Sequence, residues 1–133
     1  MQEFRLSFGV IRLMNHRIAE VIVDDGVEMT LEHIGEYHDF LIEHLEVGSG
    51  LLINKSTSYT YSFEAQQHIF LPERIKAYAV YTPSVSAKLA TDSVVMMQRK
   101  KLPVTLKTFE DYDEAMTWLK SVIQPDADTN AKA

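Results

Sequence analysis

Alternation of apolar and polar residues dominates the first part of the chain. It runs from Phe4 to Met14 and again from Arg17 to Val23, a pattern typical of half-buried strands. Asn15 and His16 lie between the two runs and suit a two-residue turn. The pattern therefore predicts an antiparallel hairpin at the start of the domain.

A helical period follows this hairpin. Apolar residues recur at helical spacing between Leu31 and Glu46, Thr30 is placed as the N-cap, and Gly48 and Gly50 end the segment. The apolar face predicted for this helix consists of Leu31, Ile34, Leu41 and Leu45.

Short apolar runs and predicted helices alternate in the middle of the chain. Leu51 to Ile53 is a short apolar run of the kind that forms a buried central strand, and Ile75 to Tyr81 is predicted as a second buried strand. Between them, Ser62 is placed to cap a short helix that extends to Phe70, and Pro72 stops it. A longer helix is predicted from Val85 to about Lys100.

The segment from Pro103 onwards combines a strand with a capped helix. Residues up to Phe109 alternate like a strand, and Asp111 with Glu114 matches a capping box. The helix that follows has one apolar face, made by Ala115, Trp118, Leu119, Val122 and Ile123. The predicted order ββαβαβαβα indicates one α/β domain over residues 1–124, with a mixed β-sheet covered by helices. Residues 125–133 hold no large apolar side chain, which predicts a disordered tail.

Composition narrows the classes of function. The chain has 133 residues, a net charge of −6 and an isoelectric point near 5.3, and such an acidic surface disfavours binding to nucleic acid. The absence of cysteine excludes disulfides and thiolate metal ligands. No basic segment leads into an apolar run at the N-terminus, and no apolar run is long enough to span a bilayer. We therefore expect a cytoplasmic protein without an integral membrane segment.

The patterns of metal sites and enzymes do not occur in the sequence. Three histidines of the predicted first helix, His33, His38 and His44, are spaced by five and six residues, whereas ligands on one helix need spacings of three or four. No Gly-x-Ser-x-Gly elbow, glycine-rich phosphate loop or dinucleotide fingerprint occurs. We therefore expect no metal, no cofactor and no enzymatic activity.

Two segments together with the predicted order carry a family resemblance. Arg74-Ile-Lys-Ala-Tyr-Ala-Val-Tyr81 and Phe109-Glu-Asp-Tyr-Asp-Glu-Ala-Met-Thr-Trp-Leu119 resemble the SpoIIAA-like group, which has the STAS-type fold of anti-anti-sigma factors and transporter tails. The resemblance covers roughly Phe4 to Ile123. In anti-anti-sigma factors, the loop after the central strand carries an Asp-Ser-Ser-Gly-like element whose serine is phosphorylated by a partner kinase. The corresponding stretch here, Asn54 to Ser58, keeps the hydroxyls but lacks the aspartate and the glycine.

The loop after the central strand is the predicted functional surface. Loops at the carboxyl ends of parallel strands form natural anion or ligand pockets, and this loop offers one cation and three hydroxyls: Lys55, Ser56, Thr57 and Ser58. One interpretation is a partner-binding or phosphoacceptor loop. The other is a solvated connection that ends in a helix cap.

Two functions are compatible with these observations. The first is a non-enzymatic interaction or regulatory module of STAS type that presents the Lys55–Ser62 loop and the adjacent helix to a protein partner. The alternative follows from members of the wider group that resemble lipid-transfer folds. It is a carrier or sensor of a small apolar or lipid-like ligand, held between the sheet and the helices predicted over Ser62–Phe70 and Val85–Lys100. An exposed edge of a mixed sheet, or an apolar helix face, also makes a homodimer compatible with the sequence.

Overall fold

The computed structural model describes residues 1–83 and 105–123, which form eight strands and three helices. The strands are β1 (Gln2–Arg5), β2 (Gly9–Asn15), β3 (Ile18–Val23), β4 (Glu28–Met29), β5 (Ser49–Asn54), β6 (Thr60–Tyr61), β7 (Ile75–Tyr81) and β8 (Thr105–Phe109). The helices are α1 (Leu31–His44), α2 (Phe63–Gln66) and α3 (Tyr112–Ile123). The helix predicted from Val85 to Lys100 and the predicted tail lie outside the described residues.

Six of the strands form one mixed sheet in the order β1-β2-β3-β5-β7-β8. The pairs β1/β2 and β2/β3 are antiparallel, whereas β3, β5, β7 and β8 run parallel to one another. The prediction of an α/β domain with a mixed sheet and a central β5 is confirmed.

The prediction of one continuous strand from Phe4 to Met14 is wrong, because the structure has two strands there, β1 and β2. The run from Phe4 to Met14 is broken by a tight turn in which the amide of Leu6 donates to the carbonyl of Gly9 at 2.8 Å. Phe8 in this turn is completely buried. The turn folds β1 back on β2, so the hairpin has a third antiparallel strand. The alternation continues through this turn, which is why periodicity alone did not reveal it.

Helix α1 begins where the sequence predicts. Thr30 accepts a hydrogen bond from the amide of His33, and Nδ1 of His33 accepts one in return from the amide of Thr30, so a histidine occupies the usual glutamate position of a capping box. The buried residues of α1 are Ile34, Tyr37, Phe40 and Leu41. Leu31, predicted to be buried, is 45% exposed because it lies in the first turn, beyond the edge of the core.

Three short elements differ from the prediction: β4 before α1, and β6 and α2 after it. Strands β4 and β6, each of two residues, pair in parallel and join the segments that lead into α1 and α2. Ser62 caps α2 as predicted, since its hydroxyl accepts from the amide of Ala65. The helix ends at Gln66 instead of Phe70, because Phe70 and Leu71 turn inwards and the amide of Leu71 binds the hydroxyl of Tyr78 at 2.8 Å.

Helices pack on both faces of the sheet. α1 and α2 cover one face, which includes Leu51 and Tyr78, and α3 covers the other, which includes Leu52 and Ala79. The predicted cap of α3 is confirmed by the carboxylate of Asp111, which accepts from the amide of Glu114 at 2.9 Å. Because β5 is central, the loop that follows it can contact both layers.

Candidate functional site

Asn54, the last residue of β5, directly precedes the predicted loop and joins it to the α3 face of the sheet. Its Nδ2 donates to Oε2 of Glu20 at 2.9 Å, and its Oδ1 accepts from the amide of Ser56 at 2.9 Å. An asparagine provides both a donor and an acceptor, whereas an aspartate at this position would only accept. An asparagine, and not the aspartate found in anti-anti-sigma factors, can therefore bind Glu20 and the amide of Ser56 at the same time.

Glu20 is a buried carboxylate that the sequence analysis did not identify. It is 1% exposed, and its oxygens are bound by Asn54, by the hydroxyl of Tyr112 at 2.8 Å, and by Nη1 of Arg12 at 3.8 Å. Arg12 lies directly opposite on β2 and also pairs with Glu3 on β1 at 3.0 Å. A charge is tolerated there because several partners satisfy it. The only local signal is a glutamate placed between Ala19 and Val21 in an apolar strand.

The phenol of Tyr112 should report on this network. Burial and the hydrogen bond to Glu20 raise its pKa to about 12. At about pH 10, where half of a solvated tyrosine is ionised, its ¹³Cζ NMR signal should remain at the neutral position. Because the pKa is raised on folding, its contribution to stability is present below about pH 10 and is lost as the pH rises towards 12.

Glu20→Gln should increase the ionised fraction of Tyr112 at the same pH, since the carboxylate no longer disfavours the phenolate. The variant Tyr112→Phe assigns the signal. An unchanged Tyr112 titration in Glu20→Gln would contradict the assigned coupling.

The three loop hydroxyls have different environments. The hydroxyl of Thr57 donates to the carbonyl of Val23 at 2.6 Å and so helps to hold the loop. The amide of Ser58 binds Asp25, and the carbonyl of Ser58 accepts from Gly26 at 2.7 Å. The side chains of Ser56 and Ser58 are exposed. The loop is thus anchored at several points and presents two of its three hydroxyls to solvent.

Lys55 points to the other layer, towards two tyrosines. Its Nζ lies 4.4 Å from the ring centroid of Tyr59 and 5.5 Å from that of Tyr61. Burial lowers the pKa of this half-buried lysine and raises the pKa of both phenols. The two hydroxyls lie 3.3 Å apart, and the rings meet edge to face. The structure therefore places Lys55 apart from the exposed hydroxyls with which the sequence grouped it.

An open groove lies at the end of the same loop. The β4/β6 pair sets the first turns of α1 and α2 side by side. The groove between these two turns has a volume of about 610 Å³ and is lined by Thr30, Leu31, Glu32, Ser62, Phe63 and Glu64. We call these six residues the N-cap groove. Phe63 is 76% exposed and Leu31 is 45% exposed. Sequence reasoning missed the groove because Leu31 was assigned to the buried face of the first helix and Phe63 was given no role.

The histidines make local contacts. His33 belongs to the cap of α1, Nδ1 of His44 lies 3.0 Å from the carbonyl of Phe40, and His16 lies 3.2 Å from a carboxylate oxygen of Glu46. Burial lowers the pKa of His38. Among residues 1–83 and 105–123, no group of three or more potential ligands is arranged to hold a metal ion.

The likeness to a solved structure identifies the fold. The chain superposes on the crystal structure of an uncharacterized protein of the DUF3478 family from Shewanella loihica PV-4, described as having a SpoIIAA-like fold. The TM-score is 0.53 with 16% identity, over 89% of this chain and 90% of that one. The present chain has a SpoIIAA-like fold. No family model and no curated protein matches the sequence.

The SpoIIAA-like fold confirms the resemblance drawn from the order of elements and from the two segments around Tyr81 and Trp118. At this level of identity the likeness concerns the fold, and function has to be argued from this chain's own residues. In the part of the SpoIIAA-like domain that the structure describes, no helix is long and apolar enough to cross a bilayer.

Proposed function

We propose that this protein is a non-catalytic cytoplasmic interaction module that presents the Lys55–Ser62 loop and the N-cap groove to a protein partner. The observation that carries the proposal is Phe63, an aromatic side chain 76% exposed beside the half-exposed Leu31. Exposed aromatic residues of this kind are frequent energetic centres of protein interfaces. The β4/β6 pair sets side by side the two helix starts that carry these side chains.

Charge suggests the chemistry of the partner. Glu32 and Glu64 line the groove next to the two apolar side chains, and the whole chain carries a net charge of −6. A segment with an apolar side chain and a neighbouring lysine or arginine would complement this surface. A second copy of the same acidic surface would be repelled.

Ser56 and Ser58 supply a means of regulation within this proposal. Both are exposed on an anchored loop that precedes the groove, whereas the hydroxyl of Thr57 is bonded to the backbone. A phosphate on either serine would add negative charge beside the surface that meets the partner. Of the three hydroxyl residues considered as phosphoacceptors, Ser56 and Ser58 are therefore the two that we propose.

The variant Phe63→Ser should lose the partner while remaining folded. Truncation of a central interface aromatic costs about 2 kcal/mol of binding free energy, which is roughly a 30-fold increase in Kd. The free energy of unfolding should change by less than about 0.5 kcal/mol because the side chain is exposed. Partners are captured from the native cells, identified by mass spectrometry and remeasured with purified protein by isothermal titration calorimetry.

Val47→Ser is the matched control, since Val47 is an apolar residue 65% exposed beyond the opposite end of α1. Equal binding by both variants would remove the groove from the proposal. A photo-crosslinker at position 63 that links two copies of the chain would replace the hetero-partner by a homodimer through the N-cap groove.

The second candidate is the carrier of a small apolar or lipid-like ligand. It is favoured by four tyrosines of the α1/α2 face: Tyr37 and Tyr78 are buried in its core, and Tyr59 and Tyr61 pack half-buried against that core. Aromatic surface with a few polar groups is typical of ligand sites. The second helix of the predicted cavity, Val85–Lys100, lies outside the described residues.

A further inference from the structure

Lys55 is a cation placed in aromatic surroundings. Its ammonium lies over the ring of Tyr59 and near that of Tyr61, and the side chain is half-buried. Removal of an ammonium from water costs free energy, and the lowered pKa of Lys55 reflects that burial. Cation–π contacts with two rings offset this cost in part.

The site is rich in hydrogen-bond donors. An ammonium has three N–H donors, and a pair of hydroxyls that bond to each other retains one free O–H. Within residues 1–83 and 105–123, Lys55 makes no salt bridge, and its ammonium lies against the rings of Tyr59 and Tyr61, whose hydroxyls are 3.3 Å apart. The group that complements such a site is an acceptor with a negative charge.

We propose that Lys55, Tyr59 and Tyr61 bind the carboxylate of a small amphipathic ligand, with its apolar part along the tyrosine rings. This inference rests on the second candidate function and names its ligand class. A carboxylate is favoured over a phosphate because the site offers one cation and one free hydroxyl. Phosphate sites usually combine several cations or backbone amides.

Octanoate is a suitable probe, with acetate and inorganic phosphate for comparison. Lysine labelled with ¹³C at Cε keeps its ammonium unchanged, and the variant Lys55→Met assigns the Lys55 NMR signal. Octanoate should shift the Lys55 signal in a saturable manner. Acetate should bind at least about tenfold more weakly than octanoate, because it lacks the apolar chain.

Lys55→Met should weaken octanoate binding about 10- to 100-fold, the usual effect of losing a charge-assisted hydrogen bond. Lys107→Met is the matched control, because Lys107 also lies over an aromatic ring, Phe109 at 5.3 Å, but is exposed. That variant should bind octanoate like the unchanged protein. Circular dichroism establishes that both variants are folded.

The inference is overturned if octanoate leaves the Lys55 signal unmoved, or if both lysine variants lose binding equally. A stronger response to inorganic phosphate than to octanoate would also overturn it. None of these results depends on Phe63 or on a protein partner. Failure of this site is therefore distinguishable from failure of the interaction module.

Discussion

Asn54→Asp is expected to destabilise the protein by about 3–5 kcal/mol at neutral pH, the usual cost of leaving a buried charge unpaired. The substitution removes the amide that donates to Glu20 at 2.9 Å and replaces it with a second carboxylate against a side chain that is 1% exposed. Urea unfolding followed by circular dichroism measures the effect.

The loss should depend on pH. Two carboxylates at this distance cannot both ionise, so the folded variant retains a proton that the unfolded chain releases above about pH 4. The folded state then binds more protons than the unfolded state, and the free energy of unfolding falls as the pH rises from that value towards 7.

Two further variants make this test specific. Asn15→Asp is the matched control, because Oδ1 of Asn15 accepts from the amide of Arg17 at 2.7 Å and a carboxylate can do the same. The double variant Glu20→Gln/Asn54→Asp should recover most of the stability, since a donor and an acceptor face each other again. Equal stability of Asn54→Asp and the unchanged protein would exclude the assigned role of Asn54.

Gly9→Ala is expected to lower the free energy of unfolding by about 3 kcal/mol, at the upper end of overpacking effects. A Cβ atom at this position would lie 2.1 Å from the carbonyl oxygen of Ile22 and 2.9 Å from the Cα of Val23. Both are backbone atoms of β3, so the clash can be relieved only if β2 and β3 move apart where Gly9 pairs with Val23. Thermal unfolding by differential scanning calorimetry is the direct measurement.

Gly35→Ala is the control with the opposite sign. Gly35 lies within α1, and an added Cβ would meet nothing within 4 Å. Alanine is favoured over glycine in a helix by about 1 kcal/mol, so this variant should be more stable than the unchanged protein. A destabilisation of similar size at both positions would contradict the close approach of β3 to Gly9.

Local signals explain the elements that the sequence predicted well. The caps at Thr30, Ser62 and Asp111 depend on residues within three positions of the helix start, so they can be read without the fold. The central strand β5 was evident from its apolar run. The mixed sheet then follows from the order of strands and helices.

The errors have the opposite cause. Strands β4 and β6 contain two residues each, too few for any period, and they exist because each pairs with the other. The turn at Leu6 to Gly9 preserves alternation on both sides. Periodicity carries no information on either feature.

The sequence indicated which loop to consider as a candidate site, but not which side chains of that loop lie close together in space. Lys55 and Ser56 are neighbours in sequence, yet one contacts the α1/α2 layer and the other faces solvent. Glu20 and Tyr112 were missed because their contact joins the first hairpin to the last helix, and such long-range pairing leaves no local pattern.

The bridge made by Asn54 has a consequence for the dynamics of the domain. Tyr112 in the first turn of α3 and the amide of Ser56 are linked through only Glu20 and Asn54. Detachment of the start of α3 withdraws one donor from a buried carboxylate, and the remaining donors must then share its charge. We therefore expect opening of the last helix to change the rate of amide exchange at Ser56, because both are linked to the same buried carboxylate.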